Sequence, residues 1–362
     1  MLPLDLAQLY RTVTTARRPA EVFGPLDGQL SSQLPQLARA FRNLVRVAHP
    51  DHCPGDQRRA EQTFQHLQAW RQRAEEELRA GIYGYAMPPV TVALRTGTYE
   101  IHEPLKAGDY YTRYRCTTSP MKPGEDLQLK VVRDVRDNEL LRHEAHVLRR
   151  LAGVPAQARH YFPRLVESFV WKDSAASRQA LLLAAPAKLY SLANIRSAYP
   201  AGLDPRDAAW MFNRTLEALW FAHQQNLVHG AVLPPNLHVS LEDHGLILDD
   251  WALAVEPGEA LTAISNLYAA WYPIETRRRA PATPATDLFL ATRCLVYLLG
   301  GDPVTGQLPP SIPAPFHRFV TGCLLPSPVY RPQDAGALRE EFGELLQSLY
   351  GPRTFRPLAM PA

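Results

Sequence analysis

Cysteine is scarce and scattered. The chain has 4 in 362 residues, at Cys53, Cys116, Cys294 and Cys323, with no C-x-x-C pair. That spacing argues against a zinc cluster or a disulfide framework, and the thiols are expected to be reduced and mostly buried. An excess of one charge is lacking too: 39 Lys and Arg stand against 36 Asp and Glu, a formal net charge of +3. Bulk electrostatics therefore gives no ground for nucleic acid or an anionic membrane as a partner. The longest apolar run, residues 288–299, is interrupted by Arg293 and falls short of the roughly 20 residues a membrane helix needs. The opening residues show no basic stretch followed by a long apolar one, as export requires. A cytoplasmic protein is expected, touching neither membrane nor nucleic acid.

Hydrophobic residues make up 46% of the chain, enough to build one large domain and a small one. A short helix is predicted over residues 4–16, interrupted by Pro19. Further on, Leu37, Phe41, Leu44 and Ala48 fall on one helical face, with Arg39, Arg42 and Arg46 around the others. His49-Pro50-Asp51 then stops the helix, because proline disfavours helical backbone in the residue before it. A second helix over residues 57–79 turns Phe64, Leu67 and Ala74 towards the first, so the pair is a helical hairpin. An HPD tripeptide between two such helices resembles a J-domain, over residues 19–80, with Ala20 to Gly24 similar to the end of the family's first helix. Residues 27–36, rich in Ser and Gln, depart from the family and leave that loop undefined. The resemblance implies that His49, Pro50 and Asp51, with Arg39, Arg42 and Arg46, meet the ATPase domain of a DnaK-type chaperone.

Glycine and proline at 81, 84, 88 and 89 mark a linker. Strands are predicted over residues 98–105, 110–117, 127–133, 162–170 and 180–186, and a helix over 138–151. Asp204 and Pro205 open a buried helix with an N-cap followed by proline. Residues 227–254 organise the large domain: strands at 237–240 and 246–249 make a hairpin in which Gly245 supplies the positive φ of the turn. Asn236 and Asp250 then converge at the open end of the hairpin, as an amide oxygen and a carboxylate do around a hard divalent cation.

The order Lys130, Glu144, His229, Asn236, Asp250, Glu275, Asp287, Arg331 resembles the protein-kinase fold over residues 98–350, including H-R-D-L-x-x-x-N, D-F-G and A-P-E. The resemblance implies ATP with Mg²⁺ as cofactor, Lys130 paired with Glu144, Gly108 in the phosphate loop, Ala184 at the adenine hinge, and Asn236 and Asp250 on the metal. It also implies a large-lobe ion pair between Glu275 and Arg331. The departures are chemical. The proton-accepting aspartate is Ala231, its preceding arginine is Gly230, the usual lysine is Leu233, and Lys106 and Tyr111 replace the outer glycines. No residue is left as the catalytic base, and Asp249, the nearest spare carboxylate, is expected to face away from the metal. Thr262 and Ser265 lie where an activation loop would, without the usual basic receiver. His143 and His146 read as a polar helix face rather than a metal pair.

The expected fold class is α+β: a small all-α J-domain-like helical domain (1–80), a linker (81–97), then a bilobal kinase-like fold with a small lobe (98–186), a large lobe (187–350) and a loose tail (351–362). The proline-rich stretch 301–315 suggests a reduced large-lobe helix. Three functions stay open: a J-domain pseudokinase that couples a DnaK-type chaperone to a client protein and holds ATP without efficient transfer, an atypical active Ser/Thr kinase, and a nucleotide-independent interaction protein.

Overall fold

A carboxylate opens the first helix. Asp5 accepts from the Gln8 amide at 2.7 Å while Gln8 reaches back to the Asp5 amide, a capping box that starts α1 (Leu6–Thr15). α2 (Pro19–Phe23) begins on proline, which has no N–H to leave unpaired. α3 (Leu30–Val47) and α4 (Gln57–Arg79) come next. The computed structural model describes residues 5–16, 18–26, 28, 30–48, 56–79, 83, 90–118, 125–172 and 177–360. The chain forms two compact units, Met1–Val90 and Thr91–Ala362.

In the first unit Leu9, Val13, Phe23, Leu37, Leu67, Ala74 and Leu78 form one core. The Trp70 indole donates to the Val13 carbonyl at 2.8 Å and the Tyr83 hydroxyl to that of Gly24 at 2.8 Å, fixing α1 and the end of α2. α3 starts at Leu30 and runs through Pro35, so much of the stretch read from sequence as a loop is helix.

The second unit holds a six-stranded sheet in the order β1-β2-β3-β4-β6-β5, from β1 (Val90–Leu94), β2 (Gly97–Ala107), β3 (Tyr111–Thr118), β4 (Glu125–Val132), β5 (Arg164–Lys172) and β6 (Ser177–Pro186). The pairs from β2 onward are antiparallel. β1 lies inside the stretch read as a linker; its side chains are exposed or half-buried, and only Val92 and Leu94 pack on the core, so its apolar alternation is short. α5 (Asn138–Leu151) packs on this sheet through Leu141, Ala145 and Leu148.

A second sheet, β7 (Tyr190–Ser191), β8 (Leu237–Val239) and β9 (Leu246–Leu248), lies among helices. These are α6 (Leu192–Ala198), α7 (Pro205–His223), α8 (Ile274–Arg277), α9 (Pro284–Leu298), α10 (Ala314–Cys323) and α11 (Ala335–Tyr350). α9 is buried nearly all round, and the residues between it and α10 form no helix. At 50% helix and 19% strand among the described residues, with antiparallel pairing, the class is α+β. No helix among the described residues is long and apolar enough to cross a membrane. Cys116, Cys294 and Cys323 are buried free thiols, and burial pushes Cys116 and Cys323 up to about 12.

Two details differ from the sequence reading. In the β8–β9 turn the positive φ belongs to His244, at 56°, not to Gly245. The Asp243 carboxylate accepts from the Gly245 amide at 3.0 Å, while Trp210 and Phe355 stack on the His244 ring. The tail, expected to be loose, is fastened: Arg356 pairs with Asp207 at 3.0 Å, and the Tyr199 hydroxyl donates to the Ala359 carbonyl.

Candidate functional site

Register brings two cations to one face. β3 and β4 pair Arg113 with Lys130, and directly opposed residues of an antiparallel pair share a face. Lys130 is wholly buried and donates to Glu144 Oε2 on α5 at 2.7 Å, to Asp250 Oδ1 at 2.7 Å and to the Tyr110 hydroxyl at 3.2 Å. Tyr110 in turn donates to the same Asp250 oxygen. Glu144 Oε1 accepts from the Trp251 amide at 3.3 Å, so α5, the sheet and the turn after β9 meet at this point. Burial opposes charge on Lys130, but Asp250 and Glu144 outweigh it and hold the ammonium above its ordinary value. Burial likewise opposes the Asp250 carboxylate and is outweighed by Lys130, leaving it below its ordinary value. At Glu144 burial wins and the shift is upward; burial and then Asp250 push the Tyr110 hydroxyl well up.

Arg113 makes the second pair. Its Nη1 lies 2.6 Å from Asp249 Oδ2 and 3.2 Å from Gln128 Oε1, and Asp249 Oδ1 accepts from the Asp250 amide at 2.7 Å. Both side chains are more than nine-tenths buried. Burial would raise the Asp249 carboxyl, yet Arg113 beside it holds it far below the carboxylate range. Adjacent aspartates thus serve different cations, Asp249 on Arg113 and Asp250 on Lys130. Arg113 Nε and Nη2 are buried without an acceptor.

Ala231, at the position the kinase resemblance gives to the proton acceptor, is buried in the core. Its amide donates to His229 Nδ1 at 3.1 Å, so Nδ1 is unprotonated and Nε2 donates to the Asp249 carbonyl at 3.0 Å. Burial lowers the His229 pKa, and a neutral ring with both nitrogens engaged is a strut, not a base. Asp287 on α9 accepts from the His229 amide at 2.7 Å, from the Gly230 amide at 2.8 Å and from His223 Nε2 at 3.0 Å. Gly230 has φ +73°, and a Cβ there would stand 2.5 Å from Leu261 Cδ2.

Lys130, Glu144 and Asp250 meet directly. Asn236 is tied instead to the residue before Asp250, its carbonyl accepting from the Asp249 amide at 2.8 Å, while its side chain donates to the Ala231 carbonyl at 3.0 Å. Gly108 closes the turn before β3, its amide donating to the Tyr111 carbonyl at 2.9 Å, and Ala184 is buried on β6 opposite Leu127. Glu275 and Arg331 are paired, Nη1 to Oε1 and Nη2 to Oε2. The Ser265 hydroxyl donates to Asp109 at 2.9 Å. Among the described residues no group of three His, Cys, Asp or Glu is placed to hold a metal. In the first unit Arg39, Arg42 and Arg46 are all exposed on α3, and the spacings of three and four set them on one helical face. His49, Pro50 and Asp51 lie outside the described residues.

Tyr110, Arg113 and the part played by Asp249 were not anticipated. One signal was available: Tyr111 and Arg113 are two apart on a strand, so a buried Tyr111 puts Arg113 on the buried face as well. As arranged, these residues do not fit a magnesium nucleotide. Lys130 is saturated by protein acceptors, Asp250 Oδ1 is taken twice, and the Tyr110 hydroxyl stands on both. No protein-family profile matches the chain, and no curated protein sequence does.

Proposed function

We propose that this chain is a co-chaperone and scaffold. Its first unit acts as a J-domain, engaging a DnaK-type chaperone through His49, Pro50 and Asp51 with the arginines of α3. Its second unit acts as a kinase-like domain, with a small lobe over 98–186 and a large lobe over 187–350, that holds a client or partner protein without transferring phosphate. The carrying observation is the saturated cluster: Lys130 bonds Glu144, Asp250 and Tyr110, and Tyr110 bonds Asp250, while the position of the proton acceptor is the buried Ala231. Phosphoryl transfer relies on positioning and on metal electrostatics, and here the lysine and the aspartate that would supply both are bonded to each other.

The arginine face of α3 and its hairpin with α4 support the first half of this reading; the Arg113–Asp249 pair favours a second unit that works without nucleotide. Two measurements test it. The full chain should stimulate the ATPase of a DnaK-type chaperone several-fold, and His49→Gln should abolish that; equal stimulation by the variant sinks the co-chaperone half. ATP with magnesium should leave the melting temperature unchanged. Metal-dependent phosphorylation of a protein substrate, abolished by Asp250→Ala, would make the chain an atypical kinase instead.

A further inference from the structure

A cavity of ≈ 450 Å³ lies in the second unit between α7, α11 and the tail, a size typical of small-molecule sites. Its aromatic wall is a stack. The Trp210 and His244 rings are 4.0 Å apart and 2° from parallel, and Phe355 lies 4.3 Å from His244 at 27°. Its charged lining is unbalanced. Arg206 is paired with Asp204 at 2.9 Å, Arg356 with Asp207 at 3.0 Å and Arg214 with Glu217 at 3.1 Å. Two arginines of the lining remain. Arg339 makes no ion pair or hydrogen bond among the described residues, and Arg353 reaches only the Asn213 amide oxygen, at 3.5 Å. The Trp210 indole N–H is shut from solvent and meets no acceptor. That donor does not open onto the cavity, and the free charge of the lining is carried by the two arginines.

We infer that this cavity is a ligand site for a small aromatic molecule bearing an anionic group, phosphate or carboxylate. The anion would lie against Arg339 and Arg353, and the ring would pack on the aromatic wall. The tail itself forms one side, held by Arg356 and by Phe355 on His244, which leaves a walled volume suited to a small molecule rather than to a polypeptide. The site shares no residue with the cluster around Lys130, and it stands whether or not the co-chaperone reading does.

Calorimetric titration of the full chain with phenyl phosphate tests it, with inorganic phosphate and phenol as separate arms. One site is expected, with either half-molecule at least tenfold weaker than phenyl phosphate. Arg339→Ala should weaken binding at least fivefold. Absence of binding by phenyl phosphate at millimolar concentration, or binding indifferent to Arg339→Ala, overturns the assignment.

Discussion

Replacing Lys130 with methionine keeps most of the length of the side chain and removes the cation that serves one buried carboxylate, Glu144, and one partly buried, Asp250. Removing one partner of a buried ion pair costs about 3–5 kcal/mol, because the remaining charge is left uncompensated. Here Glu144, wholly buried, and Asp250, 16% exposed, both lose their cation, which places the loss at neutral pH within that range, about 3–5 kcal/mol. The pH dependence distinguishes this cause from simple loss of packing. In the native protein Asp249 and Asp250 are held below the ordinary carboxylate value. Their contribution is therefore complete above that value and is lost as pH falls below it. Without Lys130, burial and mutual repulsion raise Glu144 and Asp250, so the folded variant binds protons more tightly than the unfolded chain. Its stability should fall as pH rises through the raised values, and its deficit against the native protein should shrink between pH 8 and pH 5. Urea unfolding followed by indole fluorescence measures this, since of the 6 tryptophans only Trp70 lies in the first unit. A Lys130→Met protein as stable as the native one, or with a deficit constant across pH 5 to 8, would refute the reasoning.

Gly230→Arg restores the residue type of the kinase motif but should destabilise the second unit by about 1–2 kcal/mol for the left-handed backbone alone, plus the clash with Leu261; a melt at or above the native temperature contradicts this. Asp287→Ala orphans the buried amides of His229 and Gly230, at roughly 1–3 kcal/mol each, and those two amides should lose hydrogen-exchange protection while the amides of α9 keep theirs. Leu37→Ala, in the core of the first unit, should cost about 2–5 kcal/mol and lower only that unit's transition in calorimetry, leaving the other in place.

The helices of the first unit were legible because their evidence is periodic. Leu37 and Ala48, at the two ends of the apolar stripe, are both fully buried. Long-range partners were legible only where residue type and order together name a pair: Lys130 and Glu144 are 14 residues apart and 2.7 Å from each other, and Arg331 reaches Glu275 across 56 residues. Tyr110 carries no such label. A tyrosine beside a turn does not announce that its hydroxyl will bond an aspartate 140 residues on. The turn at His244 misled for a related reason. Glycine is the intrinsic choice for positive φ, but an aromatic clamp from α7 and the tail holds the histidine there instead, and neither lies nearby in sequence. The tail looked loose because proline and arginine in isolation suggest solvent, whereas Arg356 finds Asp207 only once α7 is formed.

On the kinase-like reading proposed above, the closed cluster and Ala231 act in the same direction. A nucleotide entering between Lys130 and Asp250 would have to strip the lysine from the aspartate and lift the Tyr110 hydroxyl from both. If that forfeits the value of one buried ion pair, about 3–5 kcal/mol, the affinity falls by roughly two to three and a half orders of magnitude, at 1.4 kcal/mol for each factor of ten. Arg113 adds to this from the neighbouring strand, because displacing it would leave Asp249 buried without its cation. Restoring an aspartate at Ala231 addresses none of these costs and adds a further charge to a buried position. Ala231→Asp should therefore lower stability in urea unfolding and yield no phosphotransfer from ATP to a protein substrate.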